Sequence, residues 1–255
     1  MAGMKPQLYI LTGGSRGMGL AMARQILSQG HQLLSIARHT HPDLPVHAQR
    51  HSAGLTQWQC DLAAPHACAQ QLQDWLARTQ PTDFERVVLI NNAGVIPPIA
   101  PLSETNWHAI SQGLRVGLEA PMVLTSAFLQ ATAMWQLPRL VLNISSGLGR
   151  RAIASQATYC AAKAGMDNFS LSVALDEANK PNGARICSLA PGVIDTDMQL
   201  QLRSASAQDF PDVGRFAGLK ATGSLTSPED AAARVLSWLD RPDFGNPVIA
   251  DVRQV

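Results

Sequence analysis

LYILTGGSRGMGLAMARQIL, Leu8 to Leu27, passes from an apolar run through a glycine-rich turn into a helical pattern. The apolar run has the length and content of a buried strand. Gly13, Gly17 and Gly19 lie between strand and helix. Without a Cβ the chain turns tightly there, and N–H groups at a helix N-terminus can approach a pyrophosphate. The spacing is G-x-x-x-G-x-G, so taken alone it also fits a plain strand-to-helix turn.

The same alternation runs on. "QLLSIA" (32–37), "RVVLINNAG" (86–94), "RLVLNISS" (139–146), "ARICSLAPG" (184–192) and "PVIAD" (247–251) read as further strands, and another strand-like run closes at "WQC" before Asp61. The segment 39–54, with its prolines and histidines, reads as a loop. Helical patterns fill the other gaps. One spans about 156–179 and stops at "KPNG"; another is capped by Ser227 with Pro228 at its first position. Strands alternating with helices predict an α/β chain: a single Rossmann-like doubly wound parallel sheet with helices on both faces. With no repeat and no linker, 1–255 reads as one domain.

Composition narrows the function. Hydrophobic residues make up 46% and charged residues 15% of 255, which predicts a large buried core. A net charge of +1 gives no global field for nucleic acid or an anionic membrane. No apolar run reaches the ~18 residues of a membrane-spanning helix. The first strand starts near Gln7, which leaves no room for a signal peptide. Cys60, Cys68, Cys160 and Cys187 form no C-x-x-C, which suits a reducing cytoplasm. His39, His41, His47 and His51 match no ligand spacing, so no metal is expected.

The end of the second strand sets the dinucleotide. An NAD site usually carries an acid there for the ribose 2′-hydroxyl. This chain has Ala37 and Arg38 instead, with Arg16 inside the glycine turn. Two guanidinium groups and no acid favour a 2′-phosphate, hence NADP(H). Ser15 and Met18 share the turn and count with the glycines as cofactor contacts. Asp61, with Leu62 beside it, can bond the adenine or cap a turn.

"ATYCAAKAG" sets Tyr159 and Lys163 four apart on one helix face. A tyrosine of pKa near ~10 becomes a better proton donor and acceptor beside an ammonium, which favours the phenolate. Ser146, thirteen residues earlier at a strand end, can bond the same substrate oxygen.

"TGGSRGMG", "NNAG", "NISS", "YCAAK" and "APGVIDTDM" stand in the order of the short-chain dehydrogenases/reductases, which the whole chain resembles. The resemblance implies Tyr159 as acid/base, Lys163 as its modulator and nicotinamide-ribose ligand, and Ser146 as the group orienting the carbonyl. It implies Asn92, Ala93 and Gly94 beside the cofactor, and Pro191, Gly192, Val193 and Thr196 at its nicotinamide end. A nucleotide-binding part over about 7–150 would precede a catalytic part over about 140–255. The C-terminal third is similar to sepiapterin reductases and bacterial benzil reductases, with a helical lid over about 195–225. There Asp251 matches an acid that anchors the pterin, or is an ordinary polar residue at a strand end, and Met198 either lines the substrate pocket or belongs to the lid core. Phe210 and Phe216 either line an apolar pocket or form lid core. Arg150 and Arg151 read as a solvent-facing pair.

The resemblance thus implies NADPH-dependent reduction of a small ketone or 1,2-diketone by a homo-oligomer, with helices 105–130 and 156–179 in subunit contacts. An NADP-dependent alcohol dehydrogenase running oxidatively and a nucleotide-binding scaffold with weak turnover are the alternatives. One departure stands out in "GLRVGLEAPMVLT" (113–125): Gly117 falls where the family usually carries an Asn. Trp107, Ile110, Leu114, Leu118 and Met122 predict a buried helix there, and Trp107 and Trp135 read as packing residues. Yet Pro121 has no N–H for the carbonyl of Gly117, so the helix is expected to be distorted at that point. The resemblance implies that the freed carbonyl holds a water near Lys163.

Overall fold

The computed structural model describes residues 5–254. The ends of the domain read over 1–255, residues 1–4 and 255, lie outside that description, as does the stretch on which the absence of a signal peptide turns. Seven parallel strands form one sheet: β1 Leu8–Thr12, β2 Gln32–Ala37, β3 Leu55–Gln59, β4 Val87–Asn91, β5 Arg139–Ile144, β6 Arg185–Ala190 and β7 Ile249–Asp251. Their order is β3-β2-β1-β4-β5-β6-β7. The chain winds outward from β1 to β3, then returns to β4 and winds the other way. This reversal opens a crevice at the carboxyl ends of β1 and β4.

The helices are α1 Gly17–Ser28, α2 Leu44–Arg50, α3 Pro65–Ala77, α4 Trp107–Leu114, α5 Ala120–Ala131, α6 Ala157–Ala178, α7 Asp197–Arg203, α8 Val213–Ala221 and α9 Pro228–Leu239. Alternate strand residues feed two apolar cores. Leu11, Ile90 and Leu142 pack with Met22, Ile26 and Val235 under α1 and α9. Ile10, Leu89 and Val141 pack with Leu72, Leu124 and Phe128 under α3 and α5. Ser227 caps α9 as its sequence implies, its hydroxyl accepting from the Asp230 N–H at 3.0 Å. Among the described residues no helix is long and apolar enough to cross a membrane.

Two expectations need correction. The segment 39–54 is not all loop: α2 forms within it, because Leu44 and Ala48, four apart, bury one narrow face and Pro45 suits the first turn. His47 packs α2 against α1, its Nε2 lying 3.0 Å from both the Ser28 hydroxyl and the Arg24 carbonyl. The second correction concerns the apolar stripe from Trp107 to Met122. Trp107 is 86% exposed and Met122 41%, while Gly113, Val116, Gly117, Ala120 and Pro121 are buried. The inner face is built of small residues because α6 approaches closely. A Cβ on Gly113 would lie 3.0 Å from Thr158, and one on Gly117 would lie 3.1 Å from the Ala162 Cβ. Between α4 and α5 the chain widens into a π-helical turn, Arg115–Glu119, with the Ala120 N–H reaching back to the Arg115 carbonyl. The helix is therefore distorted around Gly117, one turn before Pro121. Trp135, unlike Trp107, is a packing residue.

The buried seam of α6 is polar. Lys163, Asp167, Ser170 and Glu177 all face the sheet. The Lys163 ammonium donates to the Ile144 carbonyl at 2.7 Å. Ser188 donates to Asp167 at 2.6 Å, and Asn143 donates to Ser170 at 2.8 Å. Glu177 accepts from the Ala184 N–H at 2.8 Å and pairs with Lys180 and with Arg139, the first residue of β5. Burial alone would raise the Glu177 pKa, but these donors outweigh it and hold the carboxyl below its ordinary value. Removing one member of such a set leaves a buried charge alone. Glu177→Ala is expected to destabilise the fold by about 3 kcal/mol. Urea unfolding followed by tryptophan fluorescence measures it, and an unchanged midpoint would contradict the clamp.

Candidate active site

The carboxyl ends of the strands and the segments beyond them line one cleft of about 930 Å³. The candidate catalytic and cofactor-binding residues, Met198 and Asp251 fall on its wall, whereas Phe210 does not. Gly13, Ser15, Arg16, Gly17, Met18 and Gly19 come from the β1–α1 turn. Arg38 follows β2, Asp61 and Leu62 follow β3, and Asn92, Ala93 and Gly94 follow β4. Ser146 follows β5, Tyr159 and Lys163 stand on α6, and Pro191, Gly192, Val193, Thr196 and Met198 follow β6. Asp251 closes β7.

The nucleotide end is shaped by close backbone approach. Gly13 and Gly17 have φ of +73° and +52°, which a side chain would strain. A Cβ on Gly19 would overlap the Gly13 carbonyl at 2.1 Å and crowd the Asn92 amide at 2.6 Å. Asn92 braces the turn by donating to the Thr12 carbonyl at 2.9 Å, while the Thr12 hydroxyl accepts the Asn92 and Ala93 N–H groups at 2.9 Å each. This cradle, opening onto the N-terminus of α1, fits a dinucleotide pyrophosphate. Arg38 is exposed beside it. Arg16 reaches across the cleft mouth to Asp197 on α7 at 3.1 Å. Asp61 caps its own turn, accepting the Ala63 N–H at 3.0 Å.

At the other end Ser146, Tyr159 and Lys163 converge. Lys163 is buried, its Nζ 5.9 Å from the Tyr159 ring centroid. A hydroxyl, a phenol and an ammonium gathered at one end of the cleft are groups able to exchange protons with a bound oxygen. The short chain dehydrogenase pattern matches residues 7–207 of this chain.

The chain belongs to that family. It is 33% identical over 235 residues to the benzil reductase ((S)-benzoin forming) of Bacillus cereus, covering 92% of this chain and 94% of that one. It is 30% identical over 247 residues to the sepiapterin reductase of Rattus norvegicus, covering 92% of each. A metagenomic short-chain oxidoreductase solved in complex with NADP is 25% identical, with a TM-score of 0.70 over 97% of this chain and 96% of that one. The chain is thus an oxidoreductase of a family that uses a nicotinamide cofactor.

In this short-chain dehydrogenase the tyrosine and lysine are tuned by burial. Burial raises the Tyr159 pKa above its ordinary 10, and the Ser146 hydroxyl opposes that rise. The ammonium, which the sequence suggested would favour the phenolate, points instead to the Ile144 carbonyl. Burial lowers Lys163 to about 8, against the pull of Asp167. Other placements add detail. Phe210 and Phe216 stack at 5.4 Å in a small core with Leu202, and Phe216 also reaches the cleft. Arg150 is exposed as expected but also tethered: it donates to the Ala250 carbonyl at 2.8 Å and to Asp167 at 3.3 Å. Arg151 is exposed. The sequence reading passed over Gln156 and Arg253, which also line the cleft. Only their spacing, three residues before Tyr159 and two after Asp251, could have flagged them. Among the described residues no cluster of His, Cys, Asp or Glu is placed to hold a metal.

The lowered lysine makes stability depend on pH. Below pH 8 the folded protein carries a buried charge; between about 8 and the ordinary 10.5 it gives up a proton that the unfolded chain keeps. Stability from this group therefore rises with pH across that window. Relative to a Lys163→Met variant, the wild type is expected to gain stability from about pH 7 to about pH 10 in urea unfolding. A difference that is flat or falls with pH would contradict the assignment.

Proposed function

We propose that this enzyme reduces a small ketone or 1,2-diketone with NADPH, Tyr159 supplying the proton. The observation that carries the reading is the convergence of Ser146, Tyr159 and Lys163 at the far end of a cleft whose nucleotide end carries Arg38 and no acid from β2. The likeness to a benzil reductase supports the substrate class. Residues 7–150 serve as the nucleotide-binding part and 140–255 as the catalytic part of one domain, with 195–225 as its lid.

The bound cofactor supplies a hydride to the carbonyl carbon. Ser146 donates a hydrogen bond to the carbonyl oxygen and fixes its direction. Tyr159 gives its phenolic proton to that oxygen, so that one hydride and one proton convert the ketone to the alcohol. The Tyr159 phenol, its pKa raised by burial, carries this proton at neutral pH, and the ratio of reduced to oxidised cofactor sets the direction of the reaction. Lys163 is the group beside Tyr159 that can return the proton and hold the nicotinamide ribose. Arg38 and Arg16 take the 2′-phosphate, and Arg16 leaves Asp197 to do so. Four free cysteines suit a cytoplasmic enzyme. Exposed Trp107, Met122, Leu171 and Leu175 on α4, α5 and α6 suit a homo-oligomer.

Tyr159→Phe is expected to lower the rate of NADPH oxidation with benzil by at least about 100-fold. NADPH binding, read from its fluorescence, should persist in that variant. Arg38→Asp should weaken NADPH binding by about tenfold or more while sparing NADH. Near-wild-type turnover without the phenol, or equal losses for both cofactors, would refute the corresponding assignment.

Gly117 enters through its backbone. We propose that its carbonyl holds a water near Lys163 for proton return. Gly117→Asn keeps that carbonyl, so kcat should change by less than about tenfold. A large rise in kcat would mark the natural protein as a weakened catalyst and favour the scaffold alternative.

A further inference from the structure

Asp251 ends β7 in the wall of the cleft, with its side chain only 7% exposed. A carboxylate buried alone is costly unless paired and hydrogen-bonded. Arg253, two residues on, supplies that partner. Its Nε donates to Oδ1 at 2.8 Å, its Nη2 donates to Oδ2 at 2.5 Å, and its backbone N–H adds a third bond to Oδ1 at 3.0 Å. Both carboxylate oxygens are thereby engaged by Arg253, which fixes the acid in place and leaves it little free capacity to bind a substrate itself.

The guanidinium is differently placed. It is more than half exposed, lines the cleft and uses only two of its five N–H donors on Asp251. Its Nη2 would stand 3.8 Å from a Cβ on Gly147, the residue that follows Ser146. A rigid cationic fork therefore sits over the backbone next to the hydroxyl that orients the carbonyl. The fork cannot swing away without stranding a buried carboxylate.

We propose that Arg253, held on Asp251, selects vicinal dicarbonyl substrates by donating to the second carbonyl oxygen while Ser146 and Tyr159 engage the first. The inference rests on the carbonyl-reductase reading above. A monoketone leaves the Arg253 donors facing the cleft unused, and a 1,2-diketone satisfies them one C–C bond from the reacting carbon. Asp251 acts through Arg253 as a positioning residue.

The test compares benzil with deoxybenzoin, which has the same carbon skeleton and one carbonyl fewer. The readout is the ratio of their kcat/KM values in wild type, Arg253→Gln and Arg253→Lys. Loss of a charge-assisted hydrogen bond should lower the ratio by about 10-fold or more in Arg253→Gln, and Arg253→Lys should restore part of it. A ratio unchanged within about twofold overturns the inference, because a merely structural arginine would slow both substrates together. If the wild type reduces neither compound, the reductase reading fails, and binding then decides the inference. Quenching of protein fluorescence by benzil, with NADPH present, should need about tenfold more benzil in Arg253→Gln. Equal affinity would overturn it.

Discussion

The site depends on the polar seam of α6. An apolar helix face can slide over a sheet at modest cost, since burial has no direction. Lys163, Asp167, Ser170 and Glu177 cannot slide, because each meets its own partner on β5, on β6 or just before β6. A shift of one residue would leave several buried polar groups unpaired, at about 1–3 kcal/mol each. The register of α6 is thereby fixed, and with it the position of Tyr159 against Ser146 at the end of β5. The seam continues outward. Asp167 also takes Arg150, and Arg150 holds the Ala250 carbonyl beside Asp251. The polar face of α6 and the residues that end β7 thus belong to one connected network.

That network explains what could be read in the sequence. Strands buried on both faces appear as unbroken apolar runs, so β1, β2, β4, β5 and β6 were legible, though β4, β5 and β6 end two or three residues before the runs read from the sequence. The glycine turn and the Ser146, Tyr159 and Lys163 set were legible because backbone approach and proton transfer demand particular residues at fixed spacing. The helix α2 was hidden, since only two of its residues carry a burial signal. The inner face of α4 and the π-helical turn was hidden for a related reason. Glycine and alanine permit close approach but carry little apolar weight, so the exposed Trp107 side looked like the core face. Arg253 was hidden as a site residue because it reaches the cleft only once β7 lies beside β6. The distortion near Gly117, by contrast, followed from Pro121 alone.

Charge in the cleft is arranged by the same economy of pairing. Asp197 is matched by Arg16, Asp195 by Arg203 and Lys220, and Asp251 by Arg253. Among the described residues Arg38, Arg151 and Arg215 line the cleft with no acid at ion-pair distance. Among the same residues Asp61 is the unpaired acid of that wall, so cations outnumber acids among the unpaired groups of the cleft, which suits a phosphate-bearing cofactor. Within the cleft the phenol of Tyr159 is held protonated by burial, beside a lysine whose own proton is loosened by burial.

Isotope transfer tests the central claim, that this geometry delivers a hydride to carbon and a proton to oxygen. The wild-type protein is incubated with benzil and NADPH carrying deuterium at both nicotinamide C4 positions, and the product is read by mass spectrometry and proton NMR. The account predicts benzoin with one deuterium on the carbinol carbon and an exchangeable hydroxyl hydrogen from solvent. NADPH consumption without deuterium in the product, or no benzoin at all, would contradict it.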